Sequence, residues 1–178
     1  VKADAIFISP VSGVKKEGDF NSEIIISCFE QLIKDGAYKG YGALLGPFNT
    51  FSRYSGPREA VFTAICRQNY GCNYFIVGRD HTGVGNFYDN KDSQKIFADL
   101  DLGMDILKFD QASYCRKRKK ITENFKDEKY LNSKIEISGS MLRDLIVKGA
   151  KIPDYILNPL VANQIVHLFQ TNKEKVFE

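Results

Sequence analysis

The chain has 178 residues, 43% hydrophobic and 26% charged, which suffices for one well-formed core and is short for two, so a single domain over residues 1–178 is expected. It holds no run near the ~20 continuous apolar residues of a membrane span. Its start, Val1-Lys2-Ala3-Asp4, lacks the layout of a signal peptide, so a soluble cytoplasmic protein with no membrane partner is expected. The net charge of +3 is concentrated in Arg116, Lys117, Arg118, Lys119 and Lys120, a run that reads as a solvated loop, and no nucleic-acid partner is expected.

Ala5-Ile6-Phe7-Ile8 predicts a strand that runs into a polar, glycine-containing loop from Ser9 to Asp19. Ile25, Cys28, Phe29, Leu32 and Ile33 then recur at helical spacing, with Asp19 or Asn21 as the cap and Gly36 as the stop. Tyr41 to Leu45 is the next strand, and Pro57 opens a helix that continues to Asn69 and closes near Gly71. Asn73 to Val77 is the clearest strand; a glycine-rich loop, a helix over Ser93 to Leu100 and a strand over Asp105 to Phe109 follow it. The alternation predicts a mainly parallel sheet with helical crossovers.

Gln111 to Lys134 is polar and strongly charged and reads as a long loop with some local structure, after which Ile135-Glu136-Ile137 returns briefly to the sheet. Ser138-Gly139-Ser140 leads into a helix that buries Met141, Leu142, Leu145 and Ile146 and stops at Gly149 and Pro153. Pro159 opens a last amphipathic helix. The four cysteines, at 28, 66, 72 and 115, form no C-x-x-C pair and read as reduced, mostly packed thiols.

Three segments can do chemistry. After the strand at Asn73 to Val77, Gly78-Arg79-Asp80-His81-Thr82-Gly83-Val84-Gly85 places four polar side chains among glycines, where an open parallel sheet binds ligands. Arg79 and His81 can meet phosphate, and Asp80 can orient either of them or accept from a ribose hydroxyl. A turn with an internal salt bridge explains the same residues. Arg53, Arg58 and Glu59 surround a helix start that suits an anion, although a capping Glu59 with two surface arginines accounts for them equally. Ser138 or Ser140 caps a third helix whose first turns carry Arg143. His167 lies in the apolar last helix and reads as structural.

In order, these segments resemble the catalytic domain of ATP sulfurylase (sulfate adenylyltransferase) over nearly the whole chain. Arg53-Tyr54-Ser55-Gly56-Pro57-Arg58-Glu59-Ala60 is similar to the family's arginine-tyrosine-alanine-glycine-proline-arginine-glutamate-alanine stretch, and Arg67 through Asn69-Tyr70-Gly71-Cys72 leads to the Gly78-Arg79-Asp80-His81 loop. Phe109 to Cys115 resembles the adenine-holding segment, and Ile137-Ser138-Gly139-Ser140 with Arg143 resembles the serine-glycine-threonine helix start. Gly13, Lys16, Gly18 and Asp19 match a glycine-x-threonine-lysine-proline-glycine-aspartate loop, with Lys15 in the threonine place and Glu17 in the proline place.

The resemblance implies transfer of adenylyl from ATP, carried with Mg2+, to sulfate, giving adenosine 5′-phosphosulfate and pyrophosphate. It assigns ATP contacts to Gly78, Arg79, Asp80, His81 and the main chain of Ala112, and sulfate to the backbone of Thr82. Phe109 would couple nucleotide binding to closure, with Arg53, Arg58, Ser138, Ser140 and Arg143 in support. The implied fold is a Rossmann-like α/β nucleotidylyltransferase with a mainly parallel sheet, incomplete at its N-terminal strand, plus C-terminal helices. An exposed sheet edge of that kind favours a homo-oligomer.

Three departures shape the expectation. The family's glutamine-threonine-arginine-asparagine-proline stretch with two histidines belongs upstream of Val1, so no catalytic residue is assigned within the chain and the chain alone is expected to be inactive or nearly so. Cys115 is followed by the basic run where many relatives carry a cysteine-rich metal knuckle, and neither a structural zinc nor another protein-held metal is expected. Thr82 stands where alanine is usual, which keeps the N–H and adds a hydroxyl. The alternatives are a non-catalytic module that binds ATP or adenosine 5′-phosphosulfate, and a related nucleotidylyltransferase with another oxyanion acceptor.

Overall fold

A computed structural model describes residues 2–79, 81, 83, 85, 87–123, 125 and 128–178. In chain order the elements are β1 (Ala5–Ile8), α1 (Ser22–Lys34), β2 (Gly42–Leu45), α2 (Pro57–Asn69), β3 (Tyr74–Val77), α3 (Asp92–Lys95), β4 (Asp105–Lys108), β5 (Ser113–Cys115), β6 (Lys120–Thr122), α4 (Glu128–Leu131), β7 (Lys134–Glu136), α5 (Gly139–Val147) and α6 (Pro159–Thr171). They group into two compact units, Val1–Ser52 with Ile137–Glu178, and Arg53–Glu136.

In the first unit β1 and β2 run parallel, from Ala5↔Gly42 to Ile8↔Leu45, joined by α1 as the crossover a parallel pair requires. Asn21 caps α1 by accepting the Glu23 N–H at 2.8 Å, which decides between the two sequence candidates. Beyond Ile8 and Leu45 the two segments stay close. The Gly13 N–H donates to the Thr50 carbonyl at 2.9 Å, and a Cβ on Gly13 would lie 2.2 Å from that same oxygen, so only glycine fits.

The apolar faces of α1, α5 and α6 supply most of the core, Ile24, Cys28, Ile146, Val161, Ala162 and Ile165, with Ile152 from the connection between α5 and α6 and Val176 from the tail. Burial pushes the Cys28 thiol up to about 11, the behaviour of a packed thiol. Ile146 is 1% exposed, so Ile146→Ala is expected to cost about 3 kcal/mol in urea unfolding, and a loss under about 1 kcal/mol would contradict this packing. The tail is fastened to the α1 approach: the Gly18 N–H donates to the Glu178 carbonyl and the Asn21 N–H to that of Val176, while the Phe177 ring centroid lies 5.1 Å from that of Phe20.

In the second unit β3 and β4 are parallel in the register Tyr74↔Asp105 to Val77↔Lys108. Ala60 and Ala64 of α2, both fully buried, let that helix approach Val77 and Phe97 closely. The helix expected over Ser93 to Leu100 is instead one α-turn, Asp92–Lys95, tightening into a 3-10 turn over Ile96–Asp99. The i→i+3 winding is a common form for so short a connector, and it buries Phe97.

The segment read as a loop with local structure contains β5 and β6, and β7 does not rejoin the parallel strands. Instead β6-β5-β7 form an antiparallel sheet, with Ser113 and Cys115 fully buried. Arg116 to Lys119 make the β5–β6 turn, Lys119 at φ +50°, and Arg116, Lys117, Lys119 and Lys120 are exposed, in keeping with the solvated reading of the basic run. Among the described residues no helix is long and apolar enough to cross a membrane.

Candidate functional site

The site of the second unit starts where β3 and β4 end together. The Val77 carbonyl accepts the Phe109 N–H at 3.0 Å and also an N–H of the Gln94 side-chain amide at 3.1 Å. That amide donates at 2.7 Å to the Phe109 carbonyl as well. Gly78 therefore leaves β3 beside Phe109 at the carboxyl ends of parallel strands, the ligand end of such a fold. Ser93, also buried, donates from its hydroxyl to the His81 carbonyl at 2.9 Å. Sequence reasoning missed Ser93 and Gln94, because a serine and a glutamine at a helix start look ordinary until the carbonyls they reach are known.

The His81 ring stands edge-on to Phe75, with centroids 5.7 Å apart at 78°. Burial pushes its imidazole below the usual histidine range, and the Glu59 carboxylate opposes that shift. The ring is thus neutral near pH 7 and carries one ring N–H. A histidine depressed in the folded state binds fewer protons than in the unfolded chain, so it stabilises less as pH falls from about 6.5 toward its folded value. Unfolding free energy measured between about pH 7.5 and 5.5 is therefore expected to fall less in His81→Gln than in the wild type, and equal falls would contradict the assignment.

Arg79 is exposed beside this ring-lined turn. Asp80 and Thr82 lie outside the described residues. Phe109 is 44% exposed and Ala112 is exposed, so both are accessible in this unit. Glu59, 5% exposed, accepts the Arg53 N–H at 2.9 Å on one carboxylate oxygen and the Ser55 N–H at 3.0 Å on the other. It fastens the segment that precedes α2, whereas α2 itself has no side-chain cap hydrogen bond, so Glu59 does not cap the helix as the alternative reading expected. The Arg53 guanidinium lies 4.5 Å from the Phe62 ring centroid, and Arg58 is exposed. Gly56, at φ +51°, has the Tyr88 ring where a Cβ would stand, 2.5 Å away.

Ser138, Ser140 and Arg143 belong to the first unit. Ser138 caps α5 by accepting the Met141 N–H at 3.1 Å, and Arg143 reaches Asp19 at 3.7 Å, with its other terminal nitrogen 3.5 Å from the Ser140 hydroxyl. Lys15 of the same loop donates to the Phe20 carbonyl at 3.0 Å, and burial lowers its ammonium from the usual lysine range against the pull of Glu178 and Asp19. The motif residues Asp19 and Arg143, far apart in sequence, are thus brought together. Among the described residues, no three or more His, Cys, Asp or Glu residues are placed to hold a metal ion.

Parallel strand pairs joined by helical crossovers define an α/β protein. The sequence profile of the ATP-sulfurylase family matches residues 1–168, and the chain belongs to that family. It is 43% identical to a sulfate adenylyltransferase of Cenarchaeum symbiosum, over 92% of this chain and 43% of that protein. It is 42% identical to one of Pyrococcus abyssi, over 89% of this chain and 42% of that protein. The chain therefore spans less than half the length of these curated relatives. A solved structure, the hexameric APS kinase from Thiobacillus denitrificans, shares the fold with a TM-score of 0.60 at 15% identity, over 94% of this chain and 31% of its own.

Proposed function

We propose that this chain is the nucleotide-binding part of a sulfate adenylyltransferase, which joins the adenylyl group of ATP to sulfate and releases pyrophosphate. The observation that carries the reading is the polar turn from Gly78 to His81 at the joined ends of β3 and β4, in a chain of the ATP-sulfurylase family. Arg79 and the neutral His81 supply donors to the ATP phosphates, with Asp80 as their orienting partner and Mg2+ arriving with the nucleotide. The main chain of Ala112 meets adenine, the Thr82 N–H holds sulfate, and Phe109 links the adenine segment to the turn. Arg53 and Arg58 add positive potential at the start of α2, while Ser138, Ser140 and Arg143 support the α5 loop.

This chemistry needs fixed anions and stabilised charge more than a strong base, which suits donors set among glycines. The chain's histidines are His81 and His167, and neither is proposed to stabilise the transition state; that role is assigned to a histidine motif outside these residues. The two units are proposed as parts of one catalytic domain, in a cytoplasmic protein that forms homo-oligomers and needs no structural zinc. The reading frame upstream of Val1 tests this most cheaply. A glutamine-threonine-arginine-asparagine-proline motif with its histidines there supports the enzyme, and a frame without one supports a module that binds ATP or adenosine 5′-phosphosulfate without turnover. ATP–pyrophosphate exchange that ignores sulfate but responds to another oxyanion would instead mark a different acceptor.

A further inference from the structure

One side chain in the second unit uses both amide hydrogens on carbonyls from different strands. Gln94, 8% exposed, donates to Val77 at the end of β3 and to Phe109 just past the end of β4. Its neighbour Ser93, 3% exposed, donates to His81. Two consecutive buried residues of α3 thus hold three carbonyls, one before Gly78, one within the turn and one at the head of the segment leading to Ala112. Each of those carbonyls would otherwise need water or another donor at an end of the sheet.

We propose that Ser93 and Gln94 are positioning residues that clamp the Gly78–His81 turn and the Phe109–Ala112 segment into one frame, so that the phosphate and adenine ends of a nucleotide are met at a fixed separation. The proposal rests on the nucleotide reading of this site. A side chain that only filled space there would not need two donors, and glutamine is suited because its NH2 offers both from one nitrogen. Glutamate in its place would bring carboxylate oxygens against two carbonyl oxygens, and methionine would fill the volume with no donor at all. The frame is also the physical route by which Phe109 can report on the turn, since its N–H and its carbonyl are both engaged with the Val77–Gln94 pair.

The test uses the protein at the full length of its relatives, with Ser93→Ala, Ser93→Thr, Gln94→Met and Gln94→Glu. Amide hydrogen exchange without nucleotide is expected to speed up about tenfold at residues 78–81 in Ser93→Ala and Gln94→Met, and at residues 109–112 in Gln94→Met, with little change in α2 or the β5–β7 sheet. Ser93→Thr keeps the hydroxyl and is expected to behave as wild type. The KM for ATP is expected to rise about tenfold in the same two variants, with a smaller change for sulfate. Should Gln94→Met fail to fold, Ser93→Ala against Ser93→Thr reads the hold on residues 78–81, and unchanged exchange there would overturn the clamp. Exchange that is unchanged, or raised throughout the unit, would overturn the clamp, as would loosened segments with an unchanged KM for ATP. A wild type that binds no ATP would instead overturn the nucleotide reading, while the exchange pattern still decides whether the clamp exists.

Discussion

Arg79→Ala in the full-length protein is expected to weaken ATP binding by about 10- to 100-fold without lowering thermal stability. A hydrogen bond between a guanidinium and a phosphate contributes about 1.5–3 kcal/mol, and each 1.4 kcal/mol is about tenfold in affinity. The stability should hold because Arg79 is exposed, so its removal leaves no cavity. His81→Ala should weaken ATP binding similarly, but with a small loss of stability, since its ring also packs edge-on against Phe75 at 5.7 Å. Calorimetric titration with Mg-ATP reads both. Wild-type affinity in the two variants, with native melting profiles, would mean that the turn does not face the nucleotide.

Glu59→Ala is expected to destabilise the protein by about 4 kcal/mol, the largest single effect on stability expected in the second unit. Its carboxylate is 5% exposed and accepts two backbone N–H groups, from Arg53 and Ser55. Alanine leaves both donors without that acceptor, at about 1–3 kcal/mol each, and opens the volume of the side chain. Glu59→Gln should be milder, because the amide oxygen still accepts one N–H while the NH2 meets the other head-on. The same carboxylate raises the His81 imidazole against the effect of burial, so its loss pushes His81 further down and should keep the ring neutral to lower pH. Denaturant unfolding of the two variants checks the order, and a Glu59→Ala protein as stable as wild type would contradict it.

What was legible in the sequence follows from how local each signal is. Pro57 and Pro159 mark the first residues of α2 and α6, and Ser138 caps α5, because these positions act through the backbone of the next few residues. The apolar run before Gly78 gave β3 and its turn for the same reason. The β5–β7 sheet was hidden because each strand has three residues, too few for a period-two pattern to stand out among flanking charges. Ile135 and Glu136 do re-enter a sheet, yet which partner they take depends on Tyr114 and Ser113, some twenty residues earlier.

The site divides along the same line. The strand end that leads into Gly78 could be read from the sequence, whereas the hydrogen bonds of Ser93 and Gln94 could not, since both act on carbonyls ten or more residues away. The tail pairing of Val176 and Glu178 with residues 18–21 is likewise a tertiary choice that no local pattern announces. Asp19 and Arg143, by contrast, each stand in a recognisable motif, and their ion pair at 3.7 Å is where the two motifs of the first unit converge.

Pyrophosphate release from Mg-ATP, followed with and without sulfate in a protein that carries this chain at the full length of its relatives, reads the proposed activity directly. The expected result is sulfate-dependent release in the wild type that falls sharply in Arg79→Ala and His81→Ala, with both variants folded. Release that is independent of sulfate, or equally fast in the two variants, would contradict the account.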